Sequence, residues 1–592
     1  MTEIKLDTKY NNMLYSWINQ HIKSFYESLL SSKSITKIEF TVVDIYNQSH
    51  IGRLMNENNV TISSTLHFFK DNVNKSIVTS SNNNVDTYLE NFINEVYKSL
   101  FSYYEKTNNK IICQLDEQPS TFITNNDTDN ECCPLLQNSQ LLLEEIPEEL
   151  LNLIIGVYPN DSSYNDKRFI YNKQLNYFPH AIYYPITTND VSYLINNFFQ
   201  YNLEFAIRCG GHSYEPASLS TGYVLDVTKL PQYIIVSSDR KTATISPGFR
   251  LGDLANELAK QNLLIVTGEH VCPGVSGTSL MGGKGPLSRI YGIMCDNIVD
   301  VKMINYKGEL ITANENENCD LFWATKGAGN GNFGVITEFT INVYEDIYFY
   351  QTIYQWNWNR EESLIILQVY QDWILTVSDN IWSSFLFQYN NGIATISLKI
   401  NKYSKIPLIE DEIFAALFDP TITKTNGYYI QNLNNFISGC NSPNNPFSKI
   451  KSSMIFEPIK QVGLLLLIES VETQLNNGYN ILYELTFSQM GGEIKNGNSS
   501  YYPKDAISVL SYFIEWSNPE QSSQFTQFLN ELYIKTEPYI SFYCFANLID
   551  YDIVDYMTKY YGTNKEKLIQ IKQKYDPYNV FKSRQSIPIY NC

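Results

Sequence analysis

Two apolar spacings alternate along this 592-residue chain, and the changes between them divide it. Near the start, Tyr15, Ile18, Ile22 and Phe25 fall on one helical stripe, residues 37–43 read as a strand, and 88–104 read as a second amphipathic helix. From about 106 to 139 the pattern dissolves into Asn, Asp, Thr and Glu, the composition of a linker. Regular structure resumes near Leu141. Residues 181–186 predict a strand. Val191, Leu194, Ile195 and Phe198 then follow i, i+3, i+4, i+7 spacing after Thr188 or Asn189 as cap, and 205–209 predict the next strand. This is a β-α-β unit. Strands at 223–227, 234–237 and 242–246 follow, then a helix with Leu251, Leu254 and Leu258 on its apolar side and an apolar segment at 263–267. Strands at 298–304 and 309–313 flank a turn at Tyr306-Lys-Gly308. Beyond Tyr344, aromatic and polar residues alternate at 348–358, 383–389 and 393–400. That predicts an antiparallel sheet, with helices near 361–375 and 410–417 and a closing helix at 556–575. A sheet face lined with aromatics would suit a substrate cleft.

The length implies two to four domains. A net charge of −19 argues against nucleic acid or an anionic membrane surface as partner, because both require basic patches. The longest apolar run, 462–468, is far short of the roughly 18 residues of a membrane span. The first residues lack the apolar stretch of a signal peptide. The expectation is a soluble protein with no visible export route. Ten cysteines are too few for a disulfide-built scaffold. His21, His50 and His67 are isolated, and Cys132 and Cys133 are adjacent, so their side chains point apart.

Chemistry concentrates in two loops. The first, Arg208-Cys-Gly-Gly-His-Ser-Tyr214, ends a strand in a glycine pair and presents one histidine. Without Cβ atoms, Gly210 and Gly211 let backbone N–H groups crowd against an anion such as a diphosphate. Ligand loops at the carboxyl ends of strands are the expected place for a cofactor. The second loop, Gly268-Glu-His-Val-Cys-Pro-Gly-Val-Ser-Gly277, presents Cys272. Glycine-rich stretches at 281–289 and 320–337 lack the order of a nucleotide-triphosphate loop. Two readings of these loops compete. One is a flavin held through His212 and Cys272. The other is zinc on the pairs Cys209/His212 and His270/Cys272, whose spacing resembles ligand pairs.

Taken in order, Arg208 to Tyr214, Val271-Cys-Pro273, Ser288-Arg-Ile-Tyr-Gly292 with Asp296-Asn297, 320–337, Gly491-Gly492, and Tyr575-Asp-Pro-Tyr-Asn579 with Gln585-Ser-Ile-Pro588 resemble the flavin-linked oxidases of the berberine bridge enzyme type. These are a branch of the vanillyl-alcohol-oxidase-like, or PCMH-type, superfamily, and the likeness spans about 178–588. It favours flavin over zinc and implies no metal. It implies an α+β protein: a two-part FAD-binding domain, a substrate domain on an antiparallel sheet covered by helices, and an extra N-terminal α+β segment. The boundaries implied are 1–105, a linker at 106–140, FAD binding at 141–345, substrate binding at 346–545, and a returning C-terminal segment at 546–592.

The resemblance implies FAD bound bicovalently, through His212 to the 8α carbon and Cys272 to C6 of the ring. Arg208, Gly210, Gly211, Ser213, Ser218, Val275, Gly282, Gly283, Tyr291, Asp296, Asn297, Gly334, Ile336, Asn579 and Gln585 would complete the cofactor site. The implied reaction oxidises an alcohol or carbohydrate: a base takes a hydroxyl proton, a hydride moves to flavin N5, and dioxygen is reduced to hydrogen peroxide. Tyr214 stands where sugar-oxidising relatives have a tyrosine facing the substrate. Departures concern the base. Phe545 and Leu548 occupy positions where relatives carry tyrosines, leaving Tyr543, Tyr551 or Glu493 as substitutes, of which Tyr543 is taken as the candidate. The usual Phe-Pro-His-Arg run reads Tyr502-Pro-Lys-Asp505, and the usual triple glycine begins with Met281. Gly277 falls where relatives carry the residue that admits or blocks dioxygen. The missing base leaves a second class of function open, a flavin-binding protein that has lost turnover and serves a structural or interaction role.

Overall fold

The structure is a computed structural model. It describes residues 154–407, 409–435 and 446–590, together with backbone strands at Lys37–Val43, Ser49–Met55 and Ile62–Ser63. The chain divides into two compact units, Met1–Gln137 and Asn138–Cys592. In the first, Lys37–Val43 pairs antiparallel with Ser49–Met55 and parallel with Ile62–Ser63. The helices expected at 15–25 and 88–104, the linker at 106–139 and the isolated residues His21 and His67 lie outside the described residues.

The second unit contains three main sheets. In the first, Ala181–Tyr183 and Phe205–Arg208 both run parallel to Tyr223–Asp226, which lies between them, and Gly156–Val157 closes the edge. The crossover helix is Thr188–Gln200. Its cap is Thr187, one residue before the first of the two expected positions. The Thr187 hydroxyl accepts from the Asp190 amide, and the Asp190 carboxylate accepts from the Thr187 amide, a reciprocal capping box. Val191, Leu194, Ile195 and Phe198 are buried, as their spacing requires. A five-stranded antiparallel sheet runs Leu310–Asn314, Ile298–Ile304, Val335–Asn342, Thr242–Ile245, Ile234–Val236.

The third sheet has seven antiparallel strands in the order Thr421–Tyr428, Tyr348–Asn357, Ile393–Tyr403, Ile381–Asn390, Ile481–Gln489, Ser508–Trp516, Phe447–Ile455. Side chains alternate between its faces. Tyr483, Leu485, Phe487, Tyr512, Ile514 and Trp516 are buried. They lie on the side of helices Gln461–Asn477 and Ser522–Thr536, where Tyr483 bonds Ser470 and Tyr512 bonds Thr536. The intervening residues Glu484, Thr486, Ser488, Ser511, Phe513 and Glu515 face a cavity. The aromatic-rich face thus forms core with the helices, and the cleft face of these two strands is mostly polar. The reason is burial: large rings remove more apolar area from water when packed under helices. The closing helix is two helices, Tyr556–Tyr561 and Lys565–Tyr575, broken at Gly562, whose φ of 48° a helix cannot continue. No described helix is long and apolar enough to cross a membrane.

Candidate active site

The two chemistry-bearing loops meet backbone to backbone. A Cβ on Gly210 would lie 2.8 Å from the Gly274 Cα and nearer still to its nitrogen. A Cβ on Gly274 would lie 3.0 Å from the Cys209 Cβ and nearer to its sulfur. The glycines are required for this approach. Together the loops wall a cavity of about 580 Å³, within the 300–1,000 Å³ range of small-molecule sites. The seven-stranded sheet supplies another wall through Glu484, Thr486, Ser488, Phe513 and Glu515, and the segment 545–549 a further one.

His212 lines this cavity, with its imidazole stacked on the Tyr171 ring at 4.3 Å and 18°. Burial, then the neighbouring His270, holds the imidazole down to about 4, so at neutral pH it is uncharged and keeps a nitrogen lone pair. Tyr171 also donates to Glu515 (3.1 Å) and packs edge-on against Tyr214. Tyr214 in turn packs edge-on against Phe513. Burial, with Glu484 and Glu515 adding to it, raises the Tyr214 phenol, so this residue stays protonated and serves as a donor or packing surface rather than a base.

Three carboxylates line the cavity, and they differ. Glu269 pairs with Lys284 (2.8 Å) and accepts from Ser488 (3.1 Å). Burial opposes its ionisation, but Lys284 outweighs that and draws the carboxyl below its ordinary range. Glu484 accepts from Gln388 (2.6 Å), Glu515 accepts from Tyr171, and burial raises both. They lie on one sheet face, because Leu482 pairs with Glu515 and Glu484 with Phe513.

The sequence-predicted residues separate into groups. Gly210, Gly211, His212, Ser213, Tyr214, Ser218, Gly283, Gly334 and Ile336 line the main cavity. Gln585 lines a smaller one that shares Ile207, Ala217, Met281, Asn330, Gly331 and Ile549 with it, while its amide donates to the carbonyls of Asp550 and Ile553. Arg208 does not reach the cavity. Its guanidinium is bound to Asp226 (2.6 Å), the Lys167 carbonyl and Tyr184, which braces the strand below the loop. Val275 is buried beside the cavity wall, and Gly282 holds Cys295 through its carbonyl. Tyr291 and Asp296 face a separate cavity, together with Glu493. Asn297 secures its own turn through the Tyr291 and Ile293 carbonyls, and Asn579 sits at a left-handed turn with φ of 50°.

Two of the expected residues do not line the main cavity. Tyr543 is not at the cavity. It packs against Phe456 and Tyr502, and its carbonyl accepts from the Met454 amide, while the turn at Phe545 to Ile549 lines the cavity instead. Tyr551 is buried elsewhere. Cys272 is buried and disulfide-bonded. Cys209 donates to the Pro247 carbonyl (3.3 Å). Among the described residues no group of three His, Cys, Asp or Glu is arranged to hold a metal.

The cavity fits a flavin dinucleotide on three counts: the glycine cradle, an uncharged histidine at its wall, and the buried Ser218 hydroxyl, which lines it without a protein partner. Tyr171, Glu484, Glu515 and the Glu269–Lys284 pair were missed by sequence reasoning. Tyr171 precedes every recognisable motif, and the others are single residues that only strand register or loop packing brings to the site.

Comparison with known proteins agrees. A family model described as an FAD binding domain matches residues 179–314, and one described as berberine and berberine like matches 544–588. An uncharacterized FAD-linked oxidoreductase of Bacillus subtilis, YgaK, is 28% identical over 439 residues, covering 72% of this chain and 95% of its own length. Berberine bridge enzyme-like 4 of Arabidopsis thaliana is 29% identical over 443 residues, covering 65% and 80%. The solved structure of Physcomitrella patens BBE-like 1 superposes with a TM-score of 0.67 at 26% identity, covering 75% of this chain and 99% of that one. A xylooligosaccharide oxidase from Myceliophthora thermophila shares the fold at 21% identity and a TM-score of 0.68, covering 75% and 99%. In both matched segments and in fold, the chain is similar to the berberine bridge enzyme-like FAD-linked oxidoreductases.

Proposed function

We propose that this chain carries FAD attached through His212 and oxidises a hydroxyl of a small polyhydroxylated molecule, an alcohol or carbohydrate, with dioxygen as acceptor and hydrogen peroxide as product. One observation carries this reading: the loop bearing His212 and the loop bearing Cys272 are locked together by Gly210 and Gly274 around a single cavity. Cys272 would provide the second attachment once an external thiol reductant has opened its disulfide by exchange, taking up the oxidising equivalent itself. In this reading 141–345 with 546–592 hold the cofactor and 346–545 contact substrate.

When bound, FAD supplies the two-electron acceptor. Gly210, Gly211, Ser213, Ser218, Gly283, Gly334 and Ile336 would hold it, with Gln585 at the far end. The polar sheet face and the rings of Tyr214 and Phe513 supply the hydrogen-bonding and stacking surfaces that a sugar uses, in keeping with the xylooligosaccharide oxidase among the neighbours. Tyr214 orients the substrate. With Tyr543 away from the cavity, Glu484 and Glu515 are the carboxylates there without a lysine or arginine partner among the described residues, and burial raises both, which makes each a stronger proton acceptor than an exposed carboxylate. Mixing the protein anaerobically with a panel of sugars and alcohols, then admitting air, should bleach and restore the yellow absorbance with peroxide formation. Absence of bleaching with every compound would favour a flavoprotein that has lost turnover.

A further inference from the structure

We infer that Lys449 is a positioning residue for the loop carrying His212 and Tyr214. The inference rests on the flavin-site reading above for its functional meaning, while its geometry stands independently. The loop is stitched to the edge strand Phe447–Ile455 at two successive residues. Asn172, fully within the interior, donates from Nδ2 to the carbonyls of both Tyr214 (2.9 Å) and Ser448 (2.9 Å), and its Oδ1 accepts from the Ser448 amide (3.1 Å). One residue further along both segments, Lys449 Nζ meets Glu215 Oε1 at 2.6 Å. The stitching therefore runs in register, Tyr214 with Ser448 and Glu215 with Lys449.

The same ammonium reaches the C-terminal segment. Lys449 Nζ lies 2.7 Å from Asp550 Oδ1 and 3.0 Å from Asp552 Oδ2, and Lys451 takes the other Asp550 oxygen at 2.5 Å. The side chains of Lys449, Lys451, Glu215 and Asp550 are each at most 10% exposed. Charges this deep are tolerated only with their partners in place, so the geometry is mutually determined rather than loosely attractive. Three carboxylates around one ammonium fix Glu215, and Glu215 is one residue from Tyr214 and three from His212. On the other side of the loop, the Tyr171 amide donates to the Gly211 carbonyl (2.8 Å) while its ring covers His212. The loop is thus clamped at Gly211, Tyr214 and Glu215. Of these clamps, Lys449 alone extends to the segment matched by the berberine-like family model.

A structural brace and a positioning device differ in what one isosteric change does. Glu215→Gln leaves Lys449 bound to Asp550 and Asp552 and so preserves docking of the C-terminal segment. Asp552→Asn weakens that docking without touching the loop. On the flavin-loaded protein, hydrogen exchange of the peptide spanning 208–216 should quicken about tenfold or more in Glu215→Gln, with the edge strand unchanged. The fraction of flavin retained on the acid-precipitated chain should fall, and kcat should drop with KM little changed. Asp552→Asn should leave the loop peptide at the wild-type rate, and Lys449→Arg, which keeps the charge, should retain most of the protection. Wild-type exchange in Glu215→Gln, or equal loosening of the loop in Asp552→Asn, would overturn the inference. If the wild-type chain holds no covalent flavin, the attachment reading fails, and the exchange comparison still decides the positioning role.

Discussion

Gly274→Ala should be far more damaging than its size suggests. Gly274 has φ of −73° and ψ of 145°, which alanine adopts freely, so backbone strain plays no part. The obstacle is space. The new methyl would sit 3.0 Å from the Cys209 Cβ and closer to its sulfur and to the Gly210 nitrogen, against an ordinary contact of about 3.5–4.0 Å. Two backbones would have to part by roughly 1 Å, and overpacking of this kind costs about 1–3 kcal/mol. That is a roughly 5- to 150-fold loss in the folded-to-unfolded ratio. A 1 Å displacement between the His212 loop and the Cys272 loop would also cost on the order of 10²-fold in turnover. Gly277→Ala is the internal control. Three residues on, its methyl meets nothing within 4 Å. Urea unfolding of both variants, with flavin content measured in parallel, checks the reasoning. If Gly274→Ala matches Gly277→Ala in stability and flavin content, the claim that the loops are in backbone contact is wrong.

Gly277→Val should fold normally yet slow reoxidation by air several-fold, because it places a side chain in the open space on the cavity wall; stopped-flow mixing of reduced protein with oxygen measures this. Lys572→Met should cost about 3–5 kcal/mol in urea unfolding. The Lys572 ammonium is wholly buried and donates to the carbonyls of Asn332 and Phe581 and to Asp576, so its loss leaves a buried carboxylate without its cation. Asp552 governs acid sensitivity. Burial alone would raise its carboxyl, but Lys449 and Lys451 hold it down to about 2, below the ordinary 3.8. Its stabilising contribution is therefore complete above the ordinary value and lost as pH falls toward 2. Asp552→Asn should flatten that part of the stability–pH curve, and an unchanged curve would show that its ion pairs contribute nothing.

What could be read from the sequence was what repeats or what glycine marks. The 3.6-residue spacing of Val191, Leu194, Ile195 and Phe198 located the crossover helix, and the Gly210–Gly211 pair located the loop that carries His212. The cap was misplaced because Thr187, Thr188 and Asn189 are all competent, and only the Asp190 carboxylate bonding back selects among them. Alternation predicted the antiparallel sheet but not which face met solvent or cofactor. Core-facing apolar and mostly polar cavity-facing residues alternate on the strand Ile481–Gln489, and the helices above it decide that Tyr483 is core and Glu484 is cavity. Tyr543 lies away from the main cavity because chemical type and nearness to a motif do not fix which side chains of a segment turn inward. Lys449 was invisible for a related reason: its three acidic partners come from segments more than 200 and about 100 residues away along the chain.

The central claim is tested most directly by mass spectrometry of tryptic peptides from acid-precipitated protein. The account predicts flavin mass on the peptide containing His212, with flavin also on the Cys272 peptide once its disulfide is reduced before loading. Release of all flavin into the acid supernatant, with both peptides at their unmodified masses, would contradict it.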